Sequence, residues 1–152
     1  MKDGLLIRSI EHGTVIDHIT AGQALSVMRI IGINNGTSAV VSVAMNVPGE
    51  EMGLKDIVKI EGRELDSREV DKISLISPDA TINIIRDYDV VSKYTVELPS
   101  EIRGIVRCRN PNCITNTGEP VASAFTVAKD PVTLRCRYCD HIILSDIAEQ
   151  LI

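Results

Sequence analysis

Residues 55–98, KDIVKIEGRELDSREVDKISLISPDATINIIRDYDVVSKYTVEL, decide the architecture, because every boundary in them is marked by a residue with a physical reason to be there. Lys55 to Glu61 is rich in Ile and Val and reads as a short strand. Asp66-Ser67-Arg68-Glu69 has the form of a capping box, in which the Asp side chain takes the fourth residue's N–H and the Glu reaches back to the first. Val70, Ile73 and Ile76 then recur at helical spacing on one face, and Pro78 stands just past the point where the helix must end. Thr81 to Arg86 and Val90 to Leu98 return to strand composition. The stretch therefore reads strand, helix, strand, strand.

Working toward the N-terminus, Leu5 to Ile10 and Thr14 to Ile19 are extended runs parted at Gly13. They are expected to form one long edge strand with a bend or bulge at the glycine, or a tight hairpin. Thr20-Ala21-Gly22-Gln23 again has capping-box form, with Thr20 as N-cap and Gln23 reaching back, and the apolar positions of the helix are Ala21, Ala24, Leu25, Met28 and Ile31, with a stop at Gly32. Ser38 to Val47 is nearly continuous in β-branched residues, as in a strand buried on both sides, and Pro48 to Gly53 is a loop. The order β-α-β-β-α-β with a trailing strand predicts an α+β fold of ferredoxin-like type, an antiparallel sheet with two helices on one face. Strands this apolar predict that part of the other face, or an edge, is covered by a second copy or by the C-terminal piece.

The chain has 152 residues, 44% hydrophobic and 24% charged, the composition of a folded protein with a core. No apolar run is long enough to span a bilayer, and Met1-Lys2-Asp3-Gly4 does not open a signal peptide, so no membrane is expected as a partner and the location expected is cytoplasmic. Residues 1–99 hold 10 Lys/Arg against 15 Asp/Glu, and residues 100–152 hold 6 against 6, which places the net charge of −5 wholly in the first part. Backbone affinity for nucleic acid comes from basic excess, and base stacking from aromatics. With one Phe, three Tyr and no Trp, the chain is expected to bind no nucleic acid.

All four cysteines lie near the end: Cys108, Cys113, Cys136 and Cys139, spaced Cys-x4-Cys, then 22 residues, then Cys-x2-Cys. In a reducing compartment two close pairs joined by a hairpin-sized insert point to four thiolates on one structural Zn2+ per chain. A redox Cys-x2-Cys leaves Cys108 and Cys113 unexplained, a rubredoxin-like iron site prefers two intervening residues in both pairs, and a catalytic zinc needs an open position that four thiolates close. His141 is near enough in sequence to replace a ligand but reads as a surface residue. Residues 100–152 bury too little apolar surface to fold unaided, so the metal is expected to hold a small, mostly β zinc-binding domain together. Arg107, Arg109, Arg135 and Arg137 flank the ligands and are expected to offset the charge of the cluster.

Several runs, in order, resemble one family. They are Gly13-Thr14-Val15-Ile16-Asp17-His18-Ile19, Glu51-Met52-Gly53 with Lys55-Asp56-Ile57-Val58-Lys59-Ile60-Glu61, Pro78-Asp79-Ala80-Thr81-Ile82-Asn83, Tyr88-Asp89-Val90-Val91-Ser92-Lys93, and the cysteine pattern with Asn112-Cys113-Ile114 and Glu119-Pro120-Val121. Together they are similar to the regulatory chain of aspartate carbamoyltransferase, an enzyme of pyrimidine biosynthesis. The resemblance implies a non-catalytic subunit. Its residues 1–99 would bind CTP and ATP as effectors and pair into a regulatory dimer, and its residues 100–152 would dock on the catalytic chain. Three such dimers would link two catalytic trimers. By motif position it puts the effector site at Ile10, Val15, Asp17, His18, Lys59, Asn83, Ile85, Tyr88, Val90 and Lys93. Thr20 stands where the family often has Pro.

The chemistry of those residues suits the assignment. Lys59 and Lys93 bring positive charge for a triphosphate into an acidic domain, and His18 adds a donor. Asp17 repels phosphate and belongs near ribose hydroxyls. Ile10, Val15, Ile85 and Val90 offer apolar walls and backbone groups to a base, and Asn83 both donates and accepts. No Gly-x4-Gly-Lys loop is present, so strands and side chains must build the pocket. Two other readings stand beside this one: a nucleic-acid-binding zinc ribbon, whose arginines would contact phosphates, and a metal-dependent enzyme.

Overall fold

The computed structural model describes residues 10–33, 36–50 and 53–152. It divides into two compact units, one ending at Val96 and the other beginning at Glu97. The predicted strand from Leu5 lies, apart from Ile10, outside the described residues, and so do Glu51 and Met52 of the family-like motif.

Among the described residues, the first unit runs β1 (Gly13–Thr20), α1 (Ala24–Ile30), β2 (Val41–Gly49), β3 (Gly53–Glu61), α2 (Ser67–Ile76), β4 (Thr81–Arg86) and β5 (Asp89–Thr95). The strands form one sheet in the order β2-β3-β1-β4-β5, with every neighbouring pair antiparallel. That is the ferredoxin-like arrangement with one strand added beside β4. Alternate residues of the inner strands, Ile16, Val58, Ile60, Ile82 and Ile84, pack in one cluster with Ala24, Val27 and Ile31 on and just beyond α1 and with Ile73 of α2. Burial of each large aliphatic side chain contributes about 1.5–3 kcal/mol, so this cluster holds the helices to the sheet.

Three expectations are corrected. First, β1 is the central strand and not an edge, paired on one side with β3 and on the other with β4. Its bulge lies at Asp17-His18, where the register shifts and His18 takes a φ of 57°, rather than at Gly13. Gly13 answers a different need: a Cβ there would stand 2.2 Å from the Ile60 carbonyl oxygen.

Second, β2 is an edge strand with Val43 and Met45 exposed, not a strand buried on both sides. β-branched composition signals fit to a pleated sheet, not depth within it.

Third, Thr20 does not cap α1. The N-cap is Gln23, and it makes no side-chain capping bond. The N–H groups of Gly22 and Ala24 donate instead to Asp56 Oδ2 on β3, at 2.9 and 3.1 Å. A carboxylate 32 residues away in sequence replaces the local cap, and Leu25, expected in the core, is exposed. Elsewhere the local signals hold. Asp66 and Glu69 form the reciprocal capping box of α2, and Gly32, at φ 79°, closes α1 with Ile33 N–H bonded to the Met28 carbonyl.

The second unit has β6 (Glu101–Arg103), β7 (Ala124–Ala128), β8 (Thr133–Cys136) and β9 (Ile142–Ile143) in that spatial order, all antiparallel. Its apolar core is small: Ile102, Ile105, Val106, Ala124, Phe125, Leu134, Ile143 and Ile147, with Cys108, Cys113 and Cys136 buried among the hydrophobic residues. The tail returns to it through a bridge between Val106 and Leu151. The two units give the α+β class expected, a helix-backed antiparallel sheet and a small β unit. Among the described residues no helix is long and apolar enough to cross a membrane.

Candidate functional site

In the first unit the register sorts the predicted effector residues. Lys59 of β3 stands opposite Val15 of β1, Val15 opposite Asn83 of β4, and Asn83 opposite Lys93 of β5. These residues form a single row across four strands, and they alternate with the core residues Val58, Ile16 and Ile82. Side chains of successive strand residues point to opposite faces, so the row lies on the side away from the core cluster. The Asn83 amide donates to the Val15 carbonyl at 3.2 Å, which fixes its orientation and leaves its oxygen as an acceptor.

The neighbouring row is Glu61, Gly13, Ile85 and Val90. Ile10 leans over Gly13, since a Cβ on that glycine would come within 2.9 Å of Ile10 Cδ1. Ile10 and Ile85 are buried, while Val90 is exposed. Tyr88 sits in the two-residue turn between Arg86 and Asp89, where Asp87 and Tyr88 both have positive φ. Its N–H bonds to the Glu11 carbonyl at 3.0 Å, which ties the turn to the segment before β1.

On the other side of the central row, Asp17 pairs with Thr81 and Thr81 with Thr95. Here the β1 bulge turns His18 so that its Nδ1 lies 2.8 Å from Thr81 Oγ1. A cavity of about 800 Å³ opens at this end, lined by His18, Lys55, Thr81, Thr95, Asp79 and the hairpin residues Pro48 to Glu50. Of the predicted effector residues only His18 lines it. Asp17, Lys59, Val15, Asn83, Lys93, Ile85 and Val90 occupy the strand rows, Ile10 precedes β1, and Tyr88 lies in the turn between β4 and β5. Lys55, which the sequence reading passed over, has its ammonium 2.9 Å from Asp17 Oδ1. Its parity with Lys59, four residues on along the same strand, is the signal that could have found it.

In the second unit the four cysteine sulfurs lie within 4.8 Å of one another. Cys108 and Cys139 are 3.6 Å apart, and Cys113 and Cys136 are 3.7 Å apart. A tetrahedral ion with metal–sulfur bonds of about 2.3 Å sets its ligands about 3.8 Å apart, so the set fits a tetrathiolate metal site. His141 is exposed, and only its backbone takes part, its carbonyl accepting the Cys136 N–H at 2.9 Å.

Burial pushes the Cys108 thiol up to about 12 and raises Cys136 as well. Cys139 falls to about 7, chiefly because the Asn110 side chain bonds to it. Cys108 and Cys136, held protonated by burial, need a cation beside them to become thiolates.

Asn110 and Asn116 shape the first cysteine loop. The Asn116 amide donates to the Cys108 and Asn110 carbonyls, each at 2.8 Å, and the Asn110 carbonyl accepts the Cys113 N–H at 3.0 Å. Two of the flanking arginines are committed elsewhere than expected. Arg109 donates to the Ser145 and Asp146 carbonyls, and Arg137 pairs with Glu101 at 2.7 Å. They bind the unit's own frame rather than the sulfurs.

Comparison with known proteins accounts for both units. Residues 5–97 match the family described as the aspartate carbamoyltransferase regulatory chain, allosteric domain, and residues 100–149 match its metal binding domain. The chain is 57% identical over 153 residues to the aspartate carbamoyltransferase regulatory chain of Methanocella arvoryzae, covering 99% of this chain and 98% of that one. It is 58% identical over 149 residues to the protein of the same name from Methanothrix thermoacetophila, covering 97% of each. It is 54% identical over 154 residues to that of Korarchaeum cryptofilum, covering 99% of this chain and 98% of that one.

Proposed function

Because this chain belongs to the family of aspartate carbamoyltransferase regulatory chains, non-catalytic subunits of that enzyme, we propose that it senses a nucleoside triphosphate in its first unit and docks on the catalytic chain through its second. The observation that carries the reading is the row Lys59, Val15, Asn83, Lys93, which sets cations at both ends of an amide and an aliphatic side chain on the face away from the core. A triphosphate is drawn to the lysines and, at the bulge, to His18 and Lys55. Ile10, Ile85 and Val90 offer a base an apolar wall, and Asp17 accepts from ribose hydroxyls. CTP and ATP are the effectors this arrangement takes, because backbone and aliphatic contacts accommodate either base. The effect on the partner follows from unequal affinity for two quaternary states, not from chemistry done here.

For the second unit, the proposed ion is one structural Zn2+ held by Cys108, Cys113, Cys136 and Cys139. The metal supplies the charge that keeps four thiolates together, and the chain's own part is to present them. Asn110 and Asn116 hold one loop, and the end of β8 holds the other. The exposed side chains of Ile114, Tyr138, Ile142 and Leu144 give this unit an apolar surface for the catalytic chain. Among the described residues no strand pairs with the outer edge of β2, and this edge, with Val43 and Met45 exposed, is where a second copy would add to the sheet to give the regulatory dimer. Three such dimers joining two catalytic trimers, in a cytoplasm that keeps the thiols reduced, complete the proposal.

Native mass spectrometry of the chain mixed with the catalytic chain, before and after chelation, tests the docking arm. A large complex that collapses when metal is removed is expected. A complex indifferent to the metal would contradict it.

A further inference from the structure

Asp56 is fully buried, and its carboxylate bonds to three backbone N–H groups from two other elements. Gly22 and Ala24, at the start of α1, donate to Oδ2 at 2.9 and 3.1 Å, and Asn46 of β2 donates to Oδ1 at 2.9 Å. Asn46 is itself displaced from regular strand geometry. It has a φ of 58° and lies where the β2–β3 register shifts between Ala44 and Val47.

The matching shift on the other side of β3 is the β1 bulge between Ile16 and Ile19, beyond which Ile19 pairs with Asp56 and Thr20 with Lys55. Lys55-Asp56 is therefore a dipeptide bracketed by two bulges. One of its side chains reaches the effector face, where Lys55 pairs with Asp17, and the other reaches the edge strand and the first helix.

We propose that Asp56 is a positioning residue that carries occupancy of the effector face to edge strand β2 and to the start of α1. The inference rests on the effector reading above. A polyanion at the cavity competes with Asp17 for the Lys55 ammonium, and any adjustment of Lys55 moves the adjacent residue. Asp56 has no slack to absorb that movement, because it is packed without solvent and its bonds to three donors are directional. The displacement passes to Asn46, whose positive φ at a bulge makes it the compliant point of β2, and to Gly22, which has a φ of 95°. Occupancy of the cavity is thereby read at Asn46, inside β2 from the hairpin residues that line the cavity, and at the start of α1, which does not line it.

The test uses the full-length, metal-loaded chain with CTP as the probe and single-residue amide exchange as the readout. In the wild type, saturating CTP is expected to change exchange at Lys55 and also at Asn46 and Ala24, each by at least about 5-fold. In Asp56→Asn, CTP should bind with a Kd within about threefold of wild type. The Lys55 response should persist there, while the Asn46 and Ala24 responses disappear. A merely structural role for Asp56 would lower stability without separating those responses.

Binding of CTP to the wild type with a response at Lys55 but none at Asn46 would overturn the inference and spare the effector reading. So would an Asn46 response that survives in Asp56→Asn. Failure of CTP to bind would remove both. If the variant does not fold, the wild-type response at Ala24 decides, because the start of α1 does not line the cavity and meets it through Asp56: no response at Ala24 would overturn the inference.

Discussion

Lys55 Nζ lies 2.9 Å from Asp17 Oδ1 across the β1 bulge, and Lys55 and His18 share the wall of the same cavity. The ion pair holds a long, flexible cation at the cavity wall, and it joins β3 to the central strand of the sheet. Partly exposed pairs of this kind contribute little to stability, at most about 1 kcal/mol. Under the proposed function its weight therefore falls on ligand binding more than on folding.

Lys55→Gln is therefore expected to raise the Kd for CTP about 10-fold, a loss of about 1.4 kcal/mol, while shifting unfolding free energy by less than about 1 kcal/mol. Calorimetric titration and urea denaturation read the two quantities. An unchanged Kd would move the phosphates away from this cavity.

The two capping-box sequences should part company on mutation. Asp66→Ala removes a cap that is made and should cost about 1 kcal/mol, whereas Thr20→Ala, at a cap that is not made, should cost less than about 0.5 kcal/mol. Asp56→Ala strands three backbone N–H groups in a buried place and should cost about 3 kcal/mol or more. Denaturant midpoints for the three variants give the ranking directly, and a Thr20→Ala cost equal to that of Asp66→Ala would contradict the fold described.

Metal removal should act on one unit alone. With a small core beside Cys108, Cys113 and Cys136, residues 97–152 are expected to lose amide dispersion on chelation, while the helix-backed sheet keeps its own. Two-dimensional amide spectra with and without chelator resolve the units, and Cys136→Ser should reproduce the chelated spectrum. Retention of native second-unit signals without metal would show that the core suffices.

The second unit should be sensitive to acid through its metal. Burial raises the Cys108 and Cys136 thiols where no cation stands beside them, so thiolates persist there only while the ion is bound, and as pH falls protons compete with the ion and release it. Amide dispersion of residues 97–152, followed on acidification with metal present, is expected to be lost as the metal leaves and to return on neutralisation with metal added. Dispersion that survives loss of the metal would contradict the coupling.

Much of this molecule is legible in its sequence, and what is not has a common cause. The α2 capping box, the Gly32 stop, the strand at Thr81 to Arg86 and the clustering of four cysteines are local signals, read within a few residues. What escapes is long-range. The cap of α1 comes from Asp56, and no pattern around Thr20 announces that a carboxylate from β3 will outcompete it. The central position of β1 and the edge position of β2 depend on pairing order, which composition does not encode. Lys55 was missed because its partner Asp17 is reached only through a bulge, and bulges shift register where alternation is trusted most. Asn110 and Asn116 were missed because a ligand pattern names the sulfurs and is silent about what bends the loop between them.

Nucleotide binding to the face of Lys59, Val15, Asn83 and Lys93 is the central expectation for the first unit. Titrating CTP into the isotope-labelled, metal-loaded chain should shift the amides of those residues and of His18 and Lys55, saturate at one nucleotide per chain, weaken at least about 10-fold in Lys93→Ala, and release no phosphate. Shifts confined to the second unit, or steady hydrolysis of the nucleotide, would contradict it.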